Sequence, residues 1–278
     1  MKKTLLYVVI TFGASIALVH SAVIVQTDFE SLTTGNIDGQ TDTSLSQTWE
    51  VNNTDTSYQV QNASPLTVST DPSVGGGNYF AGTSTSTFEQ GRVGLGTVPS
   101  SGTLWMRFLY RPGATVKTDS KFGVNDSNFP NNAGATSGVW VRSDGTNFEM
   151  AGGDGTTDDS LADATSIAVV QDKVYAMVFE LDLDNDVSRL WVGSESRSVN
   201  PTMITADAEL SHTGTNGLAF SGIRFSRGEF EADDFVLADS LSDVTVNGVV
   251  TAVPEPSDYG LLFGSIALFS CVALRRRR

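Results

Sequence analysis

Val174-Tyr175-Ala176-Met177-Val178-Phe179-Glu180-Leu181-Asp182-Leu183-Asp184-Asn185-Asp186 decides the fold class. Tyr175, Met177, Phe179, Leu181 and Leu183 recur at every second position, and Glu180, Asp182 and Asp184 alternate with the last of them. A period of two belongs to a β-strand, whose successive side chains point to opposite faces. The apolar set is therefore assigned to the core and the acidic set to solvent. Asp184-Asn185-Asp186 breaks the run as a turn and 188–193 returns as a second strand, so 173–183 and 188–193 should form a hairpin.

Outward from this hairpin the same signature recurs, a short β-rich run closed by Gly, Asn, Asp, Ser or Thr. Strands are expected over 23–29, 48–52, 65–70, 78–82, 103–111, 138–142, 146–151, 217–226 and 230–238 as well. A second hairpin should join Val139-Trp140-Val141-Arg142 to Phe148-Glu149-Met150. Between them lies Ser143-Asp144-Gly145-Thr146, where Asp144-Gly145 supplies the positive φ of a tight turn. No fixed-period repeat and no long helical pattern is visible. Many strands with almost no helix predict an all-β protein, an antiparallel two-sheet sandwich whose first and last strands are neighbours. Trp49, Trp105, Trp140 and Trp191 all fall on expected strands. Trp105 is assigned to the core with Phe108 and Tyr110, while Trp140 and Trp191 stay open between core and a sugar-stacking face.

Several of these stretches resemble the concanavalin A-like lectin/glucanase sandwiches. They are 174–186, Arg189-Leu190-Trp191-Val192, Gly222-Ile223-Arg224-Phe225-Ser226 and Ala232-Asp233-Asp234-Phe235-Val236-Leu237, with Asp28-Phe29-Glu30 fitting the first strand. The resemblance implies a jelly roll and leaves the activity open. Endoglucanases of this class carry their carboxylates in a Glu-x-Asp-x-Glu or Glu-x-Asp-x-x-Glu strand. Retaining glycosidases need two carboxylates about 5–5.5 Å apart. Glu180-Leu181-Asp182-Leu183-Asp184 approaches that pattern but ends in the shorter Asp184 and runs into a turn. The expected reading is a non-catalytic domain, with Glu180, Asp182 and Asp184 as the catalytic set of an alternative, glycoside hydrolase-like reading.

The same acids bear on metals, because calcium takes several oxygen ligands. Asp182, Asp184 and Asp186 could share an ion, and Asp233 with Asp234 could form a second cage with Asp28 or Glu30. An EF-hand loop counted from Asp182 fails, since position six is Val187 and position twelve is Gly193. No cofactor is expected beyond such a structural calcium ion. Gly75-Gly76-Gly77 has no following Lys or helix and reads as a loop, not a phosphate cradle.

Composition narrows the function classes. Lys+Arg number 17 against Asp+Glu 32, a net charge of −15. Six of the basic residues are Lys2, Lys3 and Arg275 to Arg278, so the segment between the ends carries about −19. Such a surface repels nucleic acid and anionic headgroups. Cys271 is the only cysteine, which leaves that segment without a disulfide. Of the two histidines His20 lies near the amino terminus, so His212 alone could serve as a catalytic imidazole. Its setting, Ser211-His212-Thr213-Gly214, reads as a solvated loop.

The two ends speak of export. Met1-Lys2-Lys3, an uncharged apolar run over 5–19 and small residues at Ser21 and Ala22 have the layout of a secretory signal peptide over 1–21. A cargo domain over 22–250 follows. At the other end come Val253-Pro254-Glu255-Pro256 within 251–258, an uncharged apolar stretch over 259–274, and Arg275, Arg276, Arg277 and Arg278. At about 1.5 Å per residue that stretch makes a helix of roughly 24 Å, whose arginines can snorkel to the interface and stop transfer. Proline, apolar helix and arginine cluster in this order resemble the PEP-CTERM sorting signal of Gram-negative bacteria. That resemblance implies an exosortase-like sorting enzyme as partner, besides the secretion machinery and the membrane that holds the helix. The expectation is an exported protein, first anchored in the inner membrane and then placed in the cell envelope or extracellular matrix. Its cargo would bind extracellular polysaccharide or act as a structural adhesive.

Overall fold

The alternation over 175–183 is present: Tyr175, Met177, Phe179 and Leu181 are buried in one cluster and Leu183 packs against it. The computed structural model describes residues 23–51, 58–64, 66–68, 71–75, 77–84, 90–113, 121–126, 137–154, 161–194, 197, 199–202, 204–213, 217–226 and 228–244. The expected signal peptide, the Val253-Pro254-Glu255-Pro256 segment, the apolar helix and Arg275 to Arg278 lie outside the described residues. Among the described residues no helix is long and apolar enough to cross a membrane.

In chain order the strands are β1 (Val23–Thr27), β2 (Gly35–Asn36), β3 (Thr41–Asp42), β4 (Gln47–Thr48), β5 (Glu50–Val51), β6 (Tyr58–Gln61) and β7 (Thr67–Val68). Next come β8 (Asp71–Gly75), β9 (Tyr79–Ser84), β10 (Gln90–Gly94), β11 (Thr103–Pro112), β12 (Lys121–Asn125), β13 (Ser137–Ser143) and β14 (Asn147–Asp154). The last are β15 (Leu161–Ala168), β16 (Tyr175–Asp182), β17 (Val187–Ser194), β18 (Ala208–Ser211), β19 (Gly222–Ser226) and β20 (Gly228–Ala238). A 3₁₀ turn at Leu241–Asp243 is the one helical element among the described residues.

Every pairing is antiparallel. The larger sheet runs β18-β17-β16-β11-β20-β9-β6-β2 and the smaller one β15-β14-β13-β12-β19-β10-β5. At 11 residues β20 is long enough to share one edge between two short strands, β9 along its first half and β1 along its second. First and last strands are therefore neighbours, as expected. Both expected hairpins are present, β13–β14 and β16–β17, and Gly145 sits at φ +95 between the former pair.

The core lies between the sheets. Phe80 on β9 is its hub, with ring centroids 4.3 Å from Phe225, 5.6 Å from Phe230, 5.7 Å from Tyr58 and 6.2 Å from Phe122. Truncating such a ring to Ala costs about 3–5 kcal/mol, because the cavity adds to the lost transfer energy. A smaller cluster occupies the outer face of the larger sheet, where Ala176, Val178 and Trp191 are buried with Val199, Val236 and Val244. The face assigned above to solvent is thus half covered, and only its acidic end stays open.

The strand pattern changes phase inside β20. Phe230 and Ala232 face the core, yet so do Phe235 and Leu237. One extra residue resolves the conflict, for Leu109 pairs Asp233 while Arg107 pairs Val236. Asp234 takes φ +50 in this β-bulge, a conformation Asp tolerates better than most residues.

Eight strands were not anticipated: the two-residue β2 and β3, and β6, β8, β10, β12, β15 and β18. Gln90-Gly91-Arg92-Val93-Gly94 and Lys121-Phe122-Gly123-Val124-Asn125 are interrupted by glycine, and Leu161–Ala168 is rich in alanine. Sheet partners, on both sides of β10 and β12 and on one side of the edge strand β15, hold such segments extended, not their own propensity.

Candidate functional site

One rung of the larger sheet carries the most chemistry. Trp105 on β11 lies opposite Glu180 on β16, Glu180 opposite Arg189 on β17, and Arg189 opposite Glu209 on β18. All four point outward, since Leu104, Met106, Phe179, Leu181, Leu190, Ala208 and Leu210 take the alternate, inward positions. Trp105 is therefore not a core residue beside Phe108 and Tyr110. The period of two puts it on the opposite face, where it is part-exposed and its ring lies 5.9 Å from that of Trp191.

Arg189 joins two acids, with Nη1 donating to Glu180 at 3.0 Å and Nε to Glu209 at 2.6 Å. Those hydrogen bonds, Glu209 first, hold its pKa above the ordinary arginine value. A loop walls the other side. Trp191 Nε1 donates to the Ile204 carbonyl at 3.0 Å, and Arg197 grips Asp207 through two bonds of 2.6 and 2.7 Å. Asn200 Oδ1 accepts from both Thr202 N and Thr202 Oγ1, closing the turn between them. Sheet and loop enclose a cleft of about 650 Å³ lined by Trp105, Trp191, Glu180, Arg189, Glu209 and Thr202. Its indole surface can stack on a pyranose ring, and its guanidinium and carboxylates can bond hydroxyls.

The structure separates the sequence candidates. Glu180 enters the cleft but is ion-paired with Arg189. Asp182 accepts from Asn185 N and Nδ2 inside the hairpin turn, and Asp184 accepts from Gly102 N at 3.0 Å. Asp186 Oδ1 accepts from Leu218 N at 2.8 Å. Asp233 accepts from Asp234 N, and Asp234 pairs with Arg107. Asp28 and Glu30 accept from Glu30 N and Asn78 N respectively. The acids weighed for calcium thus shape turns and strand ends, and among the described residues no three His, Cys, Asp or Glu groups converge as a metal site.

His212 corrects the sequence reading. It is buried, not solvated, because the chain after β18 turns in over Gly152 and Gly153 of the smaller sheet. Nδ1 lies 3.2 Å from the Gly153 carbonyl, an obligate acceptor, so it carries the proton and Nε2 accepts from Ser188 Oγ at 2.9 Å. Ser188 is itself fully buried, so this Ser–His pair is a clasp between sheets and has no substrate access.

Arg189 and Glu209 were missed. Arg189 was within reach, because a hairpin turning at 183–186 places it opposite Glu180. Glu209 was not, because its partner strand follows only from tertiary order.

No protein-family profile matches the chain, and no curated protein does. Solved structures similar to it include a GH131 β-glucanase catalytic domain from Podospora anserina, at 9% identity over 83% of this chain and 100% of that one, with a TM-score of 0.45. Cellulose induced protein Cip1 is similar at 13% identity over 78% and 97%, with a TM-score of 0.45. The receptor binding domain of botulinum neurotoxin mosaic serotype C/D is similar at 12% identity and a TM-score of 0.43, over 77% of this chain. The chain spans about half of that domain, 46%. At such identities and TM-scores these likenesses bear on neither ligand nor activity.

Proposed function

We propose that this is an exported cell-envelope or matrix protein, sorted by its carboxy-terminal signal, whose concanavalin A-like cargo binds a neutral glycan without cleaving it. One observation carries the binding part: the Trp105–Glu180–Arg189–Glu209 rung beneath a pre-formed loop wall. An aromatic platform with fixed polar groups, of a size to hold a few sugar rings, is the usual form of a sugar site. Two acids against one guanidinium leave the cleft negative, which favours neutral over acidic sugars. The non-cleaving part rests on Glu180 and Glu209 both binding Arg189, instead of facing each other across an open gap as an acid and a nucleophile would.

A glycan array probed with the full chain tests this. Neutral polysaccharides should bind, and Trp105→Ala should abolish that binding while the fold survives. Release of reducing sugar, abolished by Glu180→Gln, would favour the hydrolase reading. Absence of any neutral ligand would leave the structural adhesive.

A further inference from the structure

The loop that walls the cleft is tied at its neck by side chains that take the place of a strand. β18 pairs with β17 only from Val187 to Leu190, so the edge of β17 beyond Leu190 has no residue of β18 beside it. The chain instead reverses in a tight turn, where Ser194 and Arg197 exchange backbone hydrogen bonds of 2.9 and 3.0 Å. That turn sends the Arg197 side chain back along β17, where Nη1 donates to the Val192 carbonyl. From the other end of the loop, Asp207 N donates to the Leu190 carbonyl at 2.8 Å, and Asp207 Oδ2 accepts from Val192 N at 2.8 Å. One ion pair thus takes both backbone groups of Val192 that a neighbouring strand would take. Arg197 Nη1 and Nη2 meet the two oxygens of Asp207 in the forked geometry by which guanidinium and carboxylate bind most strongly.

Both ends of the wall therefore meet at one point, the closed neck of an Ω-loop. Two more contacts fix what lies between. Val199 is fully buried in the outer-face cluster with Val178 and Val236. Gly193 leaves it room, since a Cβ there would stand 3.1 Å from Val199 Cγ2. Ile204 N donates to the Asn200 carbonyl at 3.0 Å, and the Ile204 carbonyl accepts the Trp191 indole N–H. Pro201, Thr202, Thr205 and Ala206 are presented to the cleft by these anchors. Fully exposed ion pairs contribute little, but here the Asp207 side chain is only 8% exposed. Without the guanidinium, that carboxylate and the Val192 carbonyl would each lose a donor.

We propose that Arg197 is the positioning residue of the neutral-glycan cleft, holding the Ω-loop in its binding conformation through Asp207. What enters the cleft rests on the glycan-binding reading above; what shapes it rests on the neck geometry alone. Arg197 is not among the residues that line the cleft, so it acts on a sugar only through the wall. A protein whose competent state is populated to a fraction f binds with its intrinsic Kd divided by f. The clamp keeps that fraction high before the sugar arrives.

Hydrogen exchange of the Trp191 indole N–H, followed by NMR in the full chain, reads the clamp without any ligand. Arg197→Gln should speed that exchange about tenfold, and far more than it speeds exchange of the Phe179 amide on β16, which lies between β11 and β17. Arg197→Lys keeps the charge but not the fork, so it should fall between the two and serve where the Gln variant folds poorly. Binding kinetics on immobilised maltohexaose and cellohexaose read the consequence. For whichever sugar the wild type binds, Arg197→Gln should lower the association rate about tenfold and leave the dissociation rate unchanged, the mark of a depleted competent state. A merely structural role would speed exchange at Trp191 and Phe179 alike. That result, unchanged Trp191 exchange, or a loss of affinity carried by the dissociation rate would overturn the inference. A wild type that binds neither sugar, with Trp191 exchange still dependent on Arg197, would sink the glycan reading and leave the clamp standing.

Discussion

Arg107 and Asp234 form a buried ion pair of 2.9 Å between β11 and β20, and Asp234 is the residue that bulges at φ +50 to bring β20 into phase with the core. Charge and backbone conformation are coupled at this point: the bulge turns the carboxylate towards the guanidinium, and the guanidinium compensates the carboxylate's burial.

Removing one partner should therefore hurt more than removing both. Arg107→Met would leave Asp234 buried without its cation and should cost about 3–5 kcal/mol in chemical denaturation. Combining Arg107→Met with Asp234→Gly should recover most of that loss, since glycine keeps the positive φ without the charge. A double variant no more stable than the single one would mean that the bulge needs the pair.

Ser188→Ala should destabilise the sandwich by about 1–3 kcal/mol, because His212 Nε2 would be buried without a donor. His212→Phe, which removes the need for that donor, should make the Ser188→Ala step smaller. Additive effects measured in this double-mutant cycle would show that the clasp does not act as a unit.

Asp126 gives a pH signature. Burial raises its carboxyl pKa above the ordinary value, opposed by the Ser137 amide and by Arg224. The folded state then holds this proton more tightly than the unfolded one, so the group lowers stability as pH rises through its folded pKa. Asp126→Asn keeps an oxygen for Ser137 N and stays neutral throughout. It should be more stable than the wild type at about pH 7 and show no advantage at about pH 3, below the unfolded carboxylate range. The same difference at both values would contradict the burial argument.

Replacing Pro254, Glu255 and Pro256 by Ala should leave export intact and block later processing, so that the protein stays in the inner membrane. In the proposed reading, translocation would rest on Lys2, Lys3 and the first apolar run, and arrest on 259–274 with Arg275 to Arg278. Neither needs the prolines, which would serve instead as a stiff, extended strip outside the bilayer. Cell fractionation with mass measurement of the carboxy terminus reads the outcome. A variant that matures and leaves the membrane like the wild type would make the tail a plain anchor.

Local pattern was enough for the strands that carry strong alternation, for both hairpins and for the all-β class, because the side-chain period and the Asp144-Gly145 turn are properties of a few consecutive residues. It also placed Glu180 on the outer face of β16. It did not settle what lies beside that face. Trp105, Arg189 and Glu209 come to one rung only through the strand order β18-β17-β16-β11. His212 looked like a loop residue because its neighbours in sequence are polar, whereas its burial comes from β14, 59 residues away in the chain. Pairing between distant strands is decided by the fit of whole sheets around a shared core, a free energy no short window of sequence contains.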